Sequence, residues 1–330
     1  MMRPFEYVRA TDAGQAVAMV SADPNTSFLA GGTTQLDLMK DGVLGPERLV
    51  DITRLPLGGI THTGSAIRVG ALTTMEELAA DPIVVERLPF VREALLLGAS
   101  TQLRNMATIG GNLLQRARCR YFRDPTVAAC NKRAPGSGCA AITGFARMHA
   151  ILGTSEHCIA LHASDVAVPL AALDALVHVQ GVNGPRSIPL TEFYLPPGDT
   201  PHIENVLQHG ELITAVEVPL LPEGARSHYL KVRDRVSYEF ALTSAGAALV
   251  MEDGIIREAR VALGGVGTIP WRAWGAEDVL RGAPARRDTF RAAADAALEG
   301  ARTHPGTAFK VDLAKRTLVR TLEIIAGAES

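Results

Sequence analysis

Residues 29–36 read Leu29-Ala30-Gly31-Gly32-Thr33-Thr34-Gln35-Leu36, between a short β-like run (Ser27-Phe28-Leu29) and a helical pattern running from Leu36 to Lys40. Strand, glycine pair and helix in succession make a βα corner, and this decides for layered strands and helices. Glycine permits positive φ and lets the backbone approach a ligand, while free N–H groups near a helix start attract phosphate oxygens. Thr33 and Thr34 add hydroxyl donors. A second turn, Thr108-Ile109-Gly110-Gly111-Asn112, has the same character. Taken singly each reads as a tight corner, whereas the two together suit a diphosphate. Neither fits G-x-G-x-x-G or G-x-x-x-x-G-K-[ST], so a Rossmann site or a P-loop has no support.

Outward from this corner the alternation continues. Phe5 to Arg9 reads as a strand, and Thr11 or Asp12 caps a helix running to about Ser21. Strands follow at Arg48 to Ile52 and Ile67 to Ala71, with Thr74 as a helix cap and helical patterns at Val84 to Gly98 and Ser100 to Met106. Val166 to Val179 fits either a buried strand or a short helix–strand pair. Glu211 to Pro219 alternates as a strand, and Leu220 to Gly224 reads as a linker. Tyr229 to Arg235, Ala241 to Met251 and Ile255 to Leu263 form an antiparallel meander, with Glu252-Asp253-Gly254 as a hairpin turn. Ala273 to Ala328 is largely helical. The expected class is α+β, with a domain boundary near residue 220.

All four cysteines of the 330-residue chain fall in one stretch: Cys119, Cys130, Cys139 and Cys158. Four thiols can ligate one iron–sulfur cluster or one structural zinc. The absence of a C-x2-C pair counts against zinc, and a chain with this much core needs no disulfide staples. Arg118, Arg120, Arg123, Lys132 and Arg133 either favour thiolates and offset a cluster's charge or form a solvated loop face. His149, His157 and His162 lie close enough to replace a thiolate, although four cysteines suffice. Pro135 to Gly138 makes the middle of the stretch a turn.

The chain is 47% hydrophobic and 21% charged, with a formal net charge of −2. That profile is soluble and globular and gives no reason to expect nucleic acid. No secretory signal and no membrane-crossing apolar run is expected. No Ser/His/Asp set, H-E-x-x-H or paired-carboxylate pattern supports hydrolysis.

The segments LAGGTTQLDLMK, ATIGGN, HASDVAVPLAALDA, ELITAVEVP, YLKVRDRVSYEFALTSAGAAL and GGVGTIPWRA occur in the order found in FAD-binding subunits of the xanthine dehydrogenase/molybdenum hydroxylase family. The resemblance spans essentially the whole chain. The cysteine-bearing insert is similar to that of bacterial PaoABC-type aldehyde oxidoreductases within this family, whose FAD subunit carries a [4Fe–4S] cluster. A cluster-bearing insert also occurs in the β subunit of 4-hydroxybenzoyl-CoA reductase.

The resemblance implies an FAD-binding PCMH-type fold of two α/β subdomains over residues 1–220, interrupted by an iron–sulfur insert at about 113–163. Residues 221–330 would be a C-terminal domain of the CO dehydrogenase flavoprotein type, a three-stranded antiparallel sheet with a helix bundle. Leu29, Ala30, Gly31, Gly32, Thr33, Thr34, Gln35 and Leu36 would wrap the FAD diphosphate, and Thr108, Gly110, Gly111 and Asn112 would form the second cofactor turn. Asp165 matches an FAD-contacting aspartate, Leu212 and Ile213 match apolar residues beside the flavin, and Lys231 matches a lysine near the isoalloxazine ring. Cys119, Cys130, Cys139 and Cys158 would ligate the cluster. No catalytic acid or base is implied.

The implied activity is electron transfer within a molybdenum-dependent aldehyde oxidoreductase. A large subunit would hold the molybdenum cofactor, a small subunit would hold [2Fe–2S] clusters, and an external acceptor would take the electrons from FAD. Lacking its own signal, the chain would be cytoplasmic or reach the periplasm with a signal-bearing partner. Two departures stand out. Here a long insert separates Asn112 from Ser164, so the Asp165 assignment requires the chain to return to the flavin. Tyr238-Glu239-Phe240 differs from the more acidic segment of eukaryotic xanthine oxidoreductases, so NAD is not implied as acceptor. The competing reading is a zinc-stapled binding module whose glycine turns are only corners.

Overall fold

Strands of a computed structural model covering residues 2–327 assemble into three sheets. β1 (Glu6–Arg9), β2 (Thr26–Leu29) and β3 (Arg48–Asp51) form a parallel sheet in the order β1-β3-β2. The helix Ala13–Ser21 crosses between β1 and β2, and its N-cap Asp12 accepts a hydrogen bond from the Gln15 N–H at 2.8 Å. Its buried Ala16, Val17 and Val20 pack on Val50 and Ile52. Short parallel strands need such a covering helix because a βαβ crossover lays it on their face. β2 ends at Leu29, which places Ala30 to Thr34 at the carboxyl end of the sheet.

The second sheet contains β4 (Ile60–His62), β5 (Ala66–Gly70), β6 (Leu176–Gly181), β7 (Gly184–Pro189) and β8 (Leu212–Pro219). Its order is β4-β5-β8-β6-β7, and every neighbouring pair is antiparallel. The chain therefore leaves β5, travels through more than a hundred residues and returns to the same sheet. The edge strands β4 and β7 carry no clear sequence signal. β4 has three residues, and β7 begins and ends beside Pro185 and Pro189, which only an edge tolerates. Val166 to Val179 resolves as the helix Ala167–Ala172 followed by β6. The single helical pattern expected over Val84 to Gly98 is two helices, Pro82–Arg87 and Pro89–Leu97. Pro89 keeps Leu88 out of the helical region, at φ −133° and ψ 49°, and so divides them. Thr74 forms a capping box with Glu77.

β9 (Arg226–Val232), β10 (Thr243–Glu252) and β11 (Ile255–Gly264) make the expected meander, and β12 (Trp271–Arg272) adds a two-residue fourth strand. Asp253 and Gly254 turn the β10–β11 hairpin at φ 50° and 76°, the positive angles of a type I′ turn. The helices Trp274–Leu280, Arg287–Ala297 and Phe309–Ala326 cover one face with a core including Phe290, Leu318 and Leu322. The opposite face of this sheet sends Tyr229, Ala248 and Ala262 into the core around the second sheet. The expected helical tail reaches Ala328, which lies outside the described residues.

Between Leu114 and Ala163 the chain has only two four-residue helices, Arg120–Arg123 and Ala140–Thr143. Neighbouring elements hold this insert. The Ile151 and Leu152 N–H groups donate to the Val266 carbonyl at 2.8 and 3.0 Å, and His162 N–H donates to the Gly267 carbonyl at 3.1 Å. Lys310, fully buried, donates from Nζ to the carbonyls of His149 and Gly265 at 2.9 and 2.7 Å. Burial lowers its amine to about 7.

Candidate functional site

The two glycine turns face each other across a groove with two compartments. One, about 140 Å³, is lined by Ala30, Gly31, Gly32, Thr33, Thr34, Gln35, Thr108, Gly110, Gly111, Leu212 and Ile213, among others. The other, about 360 Å³, shares Thr33, Thr34 and Gly111 and adds Asn112, Arg118, Asp165, Lys231 and Phe240. The glycine turns thus form the waist of one elongated groove. A dinucleotide with a ring at one end and a nucleoside at the other has that outline.

Close backbone contacts fix the first turn. A Cβ on Gly31 would fall 1.8 Å from the Met106 carbonyl oxygen, and Gly32 holds φ at +73°. The Leu36 N–H donates to the Gly32 carbonyl at 2.9 Å. Among the described residues, the N–H groups of Gly31, Gly32, Thr33 and Thr34 donate to no backbone carbonyl, and Gln35 Nε2 is enclosed without a partner. A row of unused donors at a groove's waist suits a diphosphate, because buried donors are costly when left unpaired. Leu29 and Leu36 line neither compartment; their side chains lie beneath Gly32.

The second turn is pinned to the end of β5. Ile109 N–H donates to the Thr73 carbonyl at 2.8 Å, and Gly110 N–H donates to the Ala71 carbonyl at 2.9 Å. Thr108 accepts from the Gly111 N–H at 3.2 Å. The return of the chain is explicit: Ser164 Oγ donates to Asn112 Oδ1 at 2.5 Å, so the ends of the insert meet at the groove. Asp165 follows directly. Its Oδ2 accepts from Lys231 Nζ at 2.8 Å and its Oδ1 from the Tyr229 hydroxyl at 2.7 Å. Lys231 is 1% exposed in its side chain and also donates to the Leu97 carbonyl at 3.0 Å. Burial raises the Asp165 carboxyl above its ordinary value, and Lys231 opposes that shift. Leu212 and Ile213 line the smaller compartment, whereas Asp165 and Lys231 line the larger one. The two sets thus lie in different compartments, with the shared Thr33, Thr34 and Gly111 between them.

All four cysteines are free and line one small cavity of about 10 Å³. Cys130 and Cys139 form an isolated antiparallel bridge. Cys119 Sγ lies 3.2 Å from His149 Nε2, and burial lowers that histidine to about 4 while it pushes the Cys119 thiol up to about 11. A hydrogen bond to Cys158 lowers the Cys139 thiol to about 6, and the same contact raises Cys158. Among the described residues no three Cys, His, Asp or Glu side chains gather closely enough to hold a single metal ion. The thiols surround a space; they do not converge on a point.

Most of the cations around the thiols have partners of their own. Arg118 and Arg123 pair with Asp37 at 3.0 and 2.6 Å, Lys132 with Glu204 at 2.7 Å, and Arg133 donates to the carbonyls of Tyr121, Phe122 and Val127. Arg120 lies over the Phe145 ring. Of the five, Lys132 acts directly on a thiol, opposing the rise at Cys158. His157 pairs with Asp199 at 3.3 Å and also lines the cysteine cavity.

Residues 3–221 match the FAD binding domain in molybdopterin dehydrogenase, and residues 228–325 match the CO dehydrogenase flavoprotein C-terminal domain. The chain is an FAD-binding subunit of the xanthine dehydrogenase/molybdenum hydroxylase family. It is 48% identical over 324 residues to the aldehyde oxidoreductase FAD-binding subunit PaoB of Escherichia coli, covering 97% of this chain and 98% of that one. It is 30% identical to the carbon monoxide dehydrogenase medium chain of Hydrogenophaga pseudoflava, covering 89% and 86%. A solved carbon monoxide dehydrogenase from the same organism, lacking the Mo-pyranopterin moiety of its molybdenum cofactor, superposes with a TM-score of 0.78 at 27% identity over 99% of both chains. This oxidoreductase subunit has among its described residues no helix long and apolar enough to cross a membrane.

Sequence reading missed one residue behind this flavoprotein's groove. Tyr229 holds the Asp165 carboxylate from the same strand face as Lys231, and the period-two spacing was a usable signal. Arg118, read only as a cation near the thiols, and Phe240, read only as part of the Tyr238-Glu239-Phe240 departure, meet in the larger compartment with the guanidinium carbon 5.0 Å from the ring centre.

Proposed function

We propose that this chain is the FAD- and [4Fe–4S]-carrying electron-transfer subunit of a molybdenum-dependent aldehyde oxidoreductase. The observation that carries the FAD part is the two-compartment groove, whose waist presents unpaired backbone donors from the first glycine turn. Thr33, Thr34, Gln35 and the facing Gly110-Gly111 turn would hold the diphosphate. Leu212 and Ile213 would flank the isoalloxazine in the smaller, more apolar compartment. The Asp165–Lys231 pair then serves the adenosine end, a revision of the flavin-side role that the family resemblance implies for Lys231. FAD supplies two-electron acceptance with one-electron release. The protein's part is to bind and orient it and to exclude water.

Cys119, Cys130, Cys139 and Cys158 fit a cluster in number and donor chemistry, since all four are free and line one cavity. At about 10 Å³ that cavity must widen as the thiols become thiolates, so binding and local folding are linked. A single zinc is the poorer occupant, because the stretch holds no C-x2-C pair. Residues 1–220 would form the flavin domain, interrupted at about 113–163 by the cluster insert, and 221–330 the C-terminal domain. The partners would be a large subunit with the molybdenum cofactor and a small [2Fe–2S] subunit, with electrons leaving FAD for an external acceptor.

An anaerobic visible spectrum of the purified chain, with iron, acid-labile sulfide and released FAD assayed on the same sample, tests this. Flavin bands over a broad iron–sulfur shoulder, with about four irons per chain, are expected. A colourless chain containing zinc would overturn the proposal. Flavin without iron would retain the groove and remove the cluster.

A further inference from the structure

The helix Gln35–Lys40 touches both the groove and the cysteine cavity. It starts directly after Thr33 and Thr34, which line both compartments, and its Asp37 lines the larger one. The next residue, Leu38, is fully buried in an apolar cluster with Ala117, Phe122, Cys130 and Cys158. Asp37 Oδ2 accepts from Arg118 Nη1 at 3.0 Å and from Arg123 Nη1 at 2.6 Å. Those arginines bracket Cys119: Arg118 precedes it, and the Arg123 N–H donates to the Cys119 carbonyl at 3.0 Å. The Arg118 guanidinium also stacks on Phe240, another groove residue.

We infer that this helix couples the two sites, so that a cluster in the cysteine cavity and FAD in the groove strengthen each other's binding through Asp37 and Leu38. The inference rests on the proposed function. Six residues cannot hold a helix in water, so its position is set by what grips its side chains. Asp37 grips the segment carrying Cys119, and Leu38 is buried in the same apolar cluster as Cys130 and Cys158. When a cluster fixes those three cysteines, the helix is fixed, and so are the Thr33–Thr34 donors at its start. Without the cluster the Cys119 segment is held less tightly, the grip of Asp37 on its two arginines weakens, and more of the ordering of the Thr33–Thr34 end of the turn falls to FAD. Coupling of this kind is reciprocal in binding free energy, so FAD must raise cluster affinity by the same factor. Asp37 and Leu38 are positioning residues: neither is required to touch either group.

The test is FAD titration of the full chain, followed by flavin fluorescence, with the cluster loaded and after anaerobic removal of iron by a chelator. Iron, sulfide and flavin are assayed on each sample first. The expected result is FAD binding weaker by about tenfold in the stripped wild type. In Asp37→Asn that ratio should fall toward one, whereas Asp41→Asn should keep it, because Asp41 holds Arg123 only at the far end of the helix. The wild-type comparison stands without any variant, so a misfolded substitution does not decide it. A chain that takes up both groups yet binds FAD equally well, or better, when stripped overturns the coupling alone. A chain that takes up neither overturns the functional reading beneath it.

Discussion

The glycine-turn groove is walled at its waist by backbone, and that backbone is braced from behind. The cysteine cavity, one short helix away, is walled by side chains that have closed on each other. Met106 presses on Gly31, Ala71 on Gly110, and the Asp165–Lys231–Tyr229 set closes the floor of the larger compartment. The fold alone therefore leaves roughly 360 and 140 Å³ open in the groove. Around the cysteines the Cys130–Cys139 bridge, the Asn131 N–H bond to the Gly138 carbonyl at 2.7 Å and the Lys132–Glu204 pair draw segments of the insert together, and only about 10 Å³ remains between the thiols. A site braced by hydrogen-bonded backbone is preorganised for its ligand. A site whose walls have closed on each other must open for its ligand, which then becomes part of its core.

The largest effect that would break this contrast is on the groove floor. Lys231→Met removes one partner of a buried pair and leaves the Asp165 carboxyl with the Tyr229 hydroxyl alone. Urea unfolding of the FAD-free chain should lose about 3–5 kcal/mol. A loss below 1 kcal/mol would mean that the floor is set by something other than this pair.

Acid probes the partition between the two regions, where His162 lines a space of about 40 Å³ together with Gln115 and Cys158. Burial lowers His162 to about 4, and its Nε2 is enclosed without a partner. Between about pH 6.5 and 4 the unfolded chain carries a proton there that the folded chain refuses. Stability should therefore fall with pH across that window by up to about 3 kcal/mol and level off below it. His149 shifts in the same direction, so the difference between wild type and His162→Gln, measured by urea unfolding at pH 7, 5.5 and 4.5, isolates the His162 share. Parallel curves would remove His162 from the account.

A smaller and more local effect sharpens the claim that backbone builds the waist. Gly31→Ala forces Cβ against the Met106 carbonyl and should cost about 1–3 kcal/mol, together with loss of FAD from the purified chain. Gly58→Ala, with nothing within 4 Å of its Cβ, should stay within about 0.5 kcal/mol and keep its flavin. Equal melting temperatures and flavin contents for the two would show that the Gly31 contact relaxes freely.

What could be read in advance follows the same division. The βα corner at 29–36, the Asp12 cap, the Thr74 cap and the Asp253-Gly254 turn were legible, because each depends on hydrogen bonds and φ preferences a few residues apart. The edge strands β4 and β7 were not legible. They are largely exposed and lack a clean apolar alternation, so only their pairing with β5 and β6 defines them. The break at Pro89 was available in the sequence and was overridden by an unbroken helical pattern.

Residue types at the site were legible as well: four thiols in one stretch, two glycine pairs, one lysine on a strand. Where they meet was decided by tertiary structure. Asn112 and Ser164 are 52 residues apart and share a hydrogen bond, Asp165 and Lys231 are 66 apart and share a buried ion pair, and Arg118 reaches back 81 residues to Asp37. Short-range preference sets which corners and caps form, because it acts on dihedral angles within one turn. Long-range pairing is set by which polar groups remain to be satisfied once the apolar faces of three sheets have been buried together.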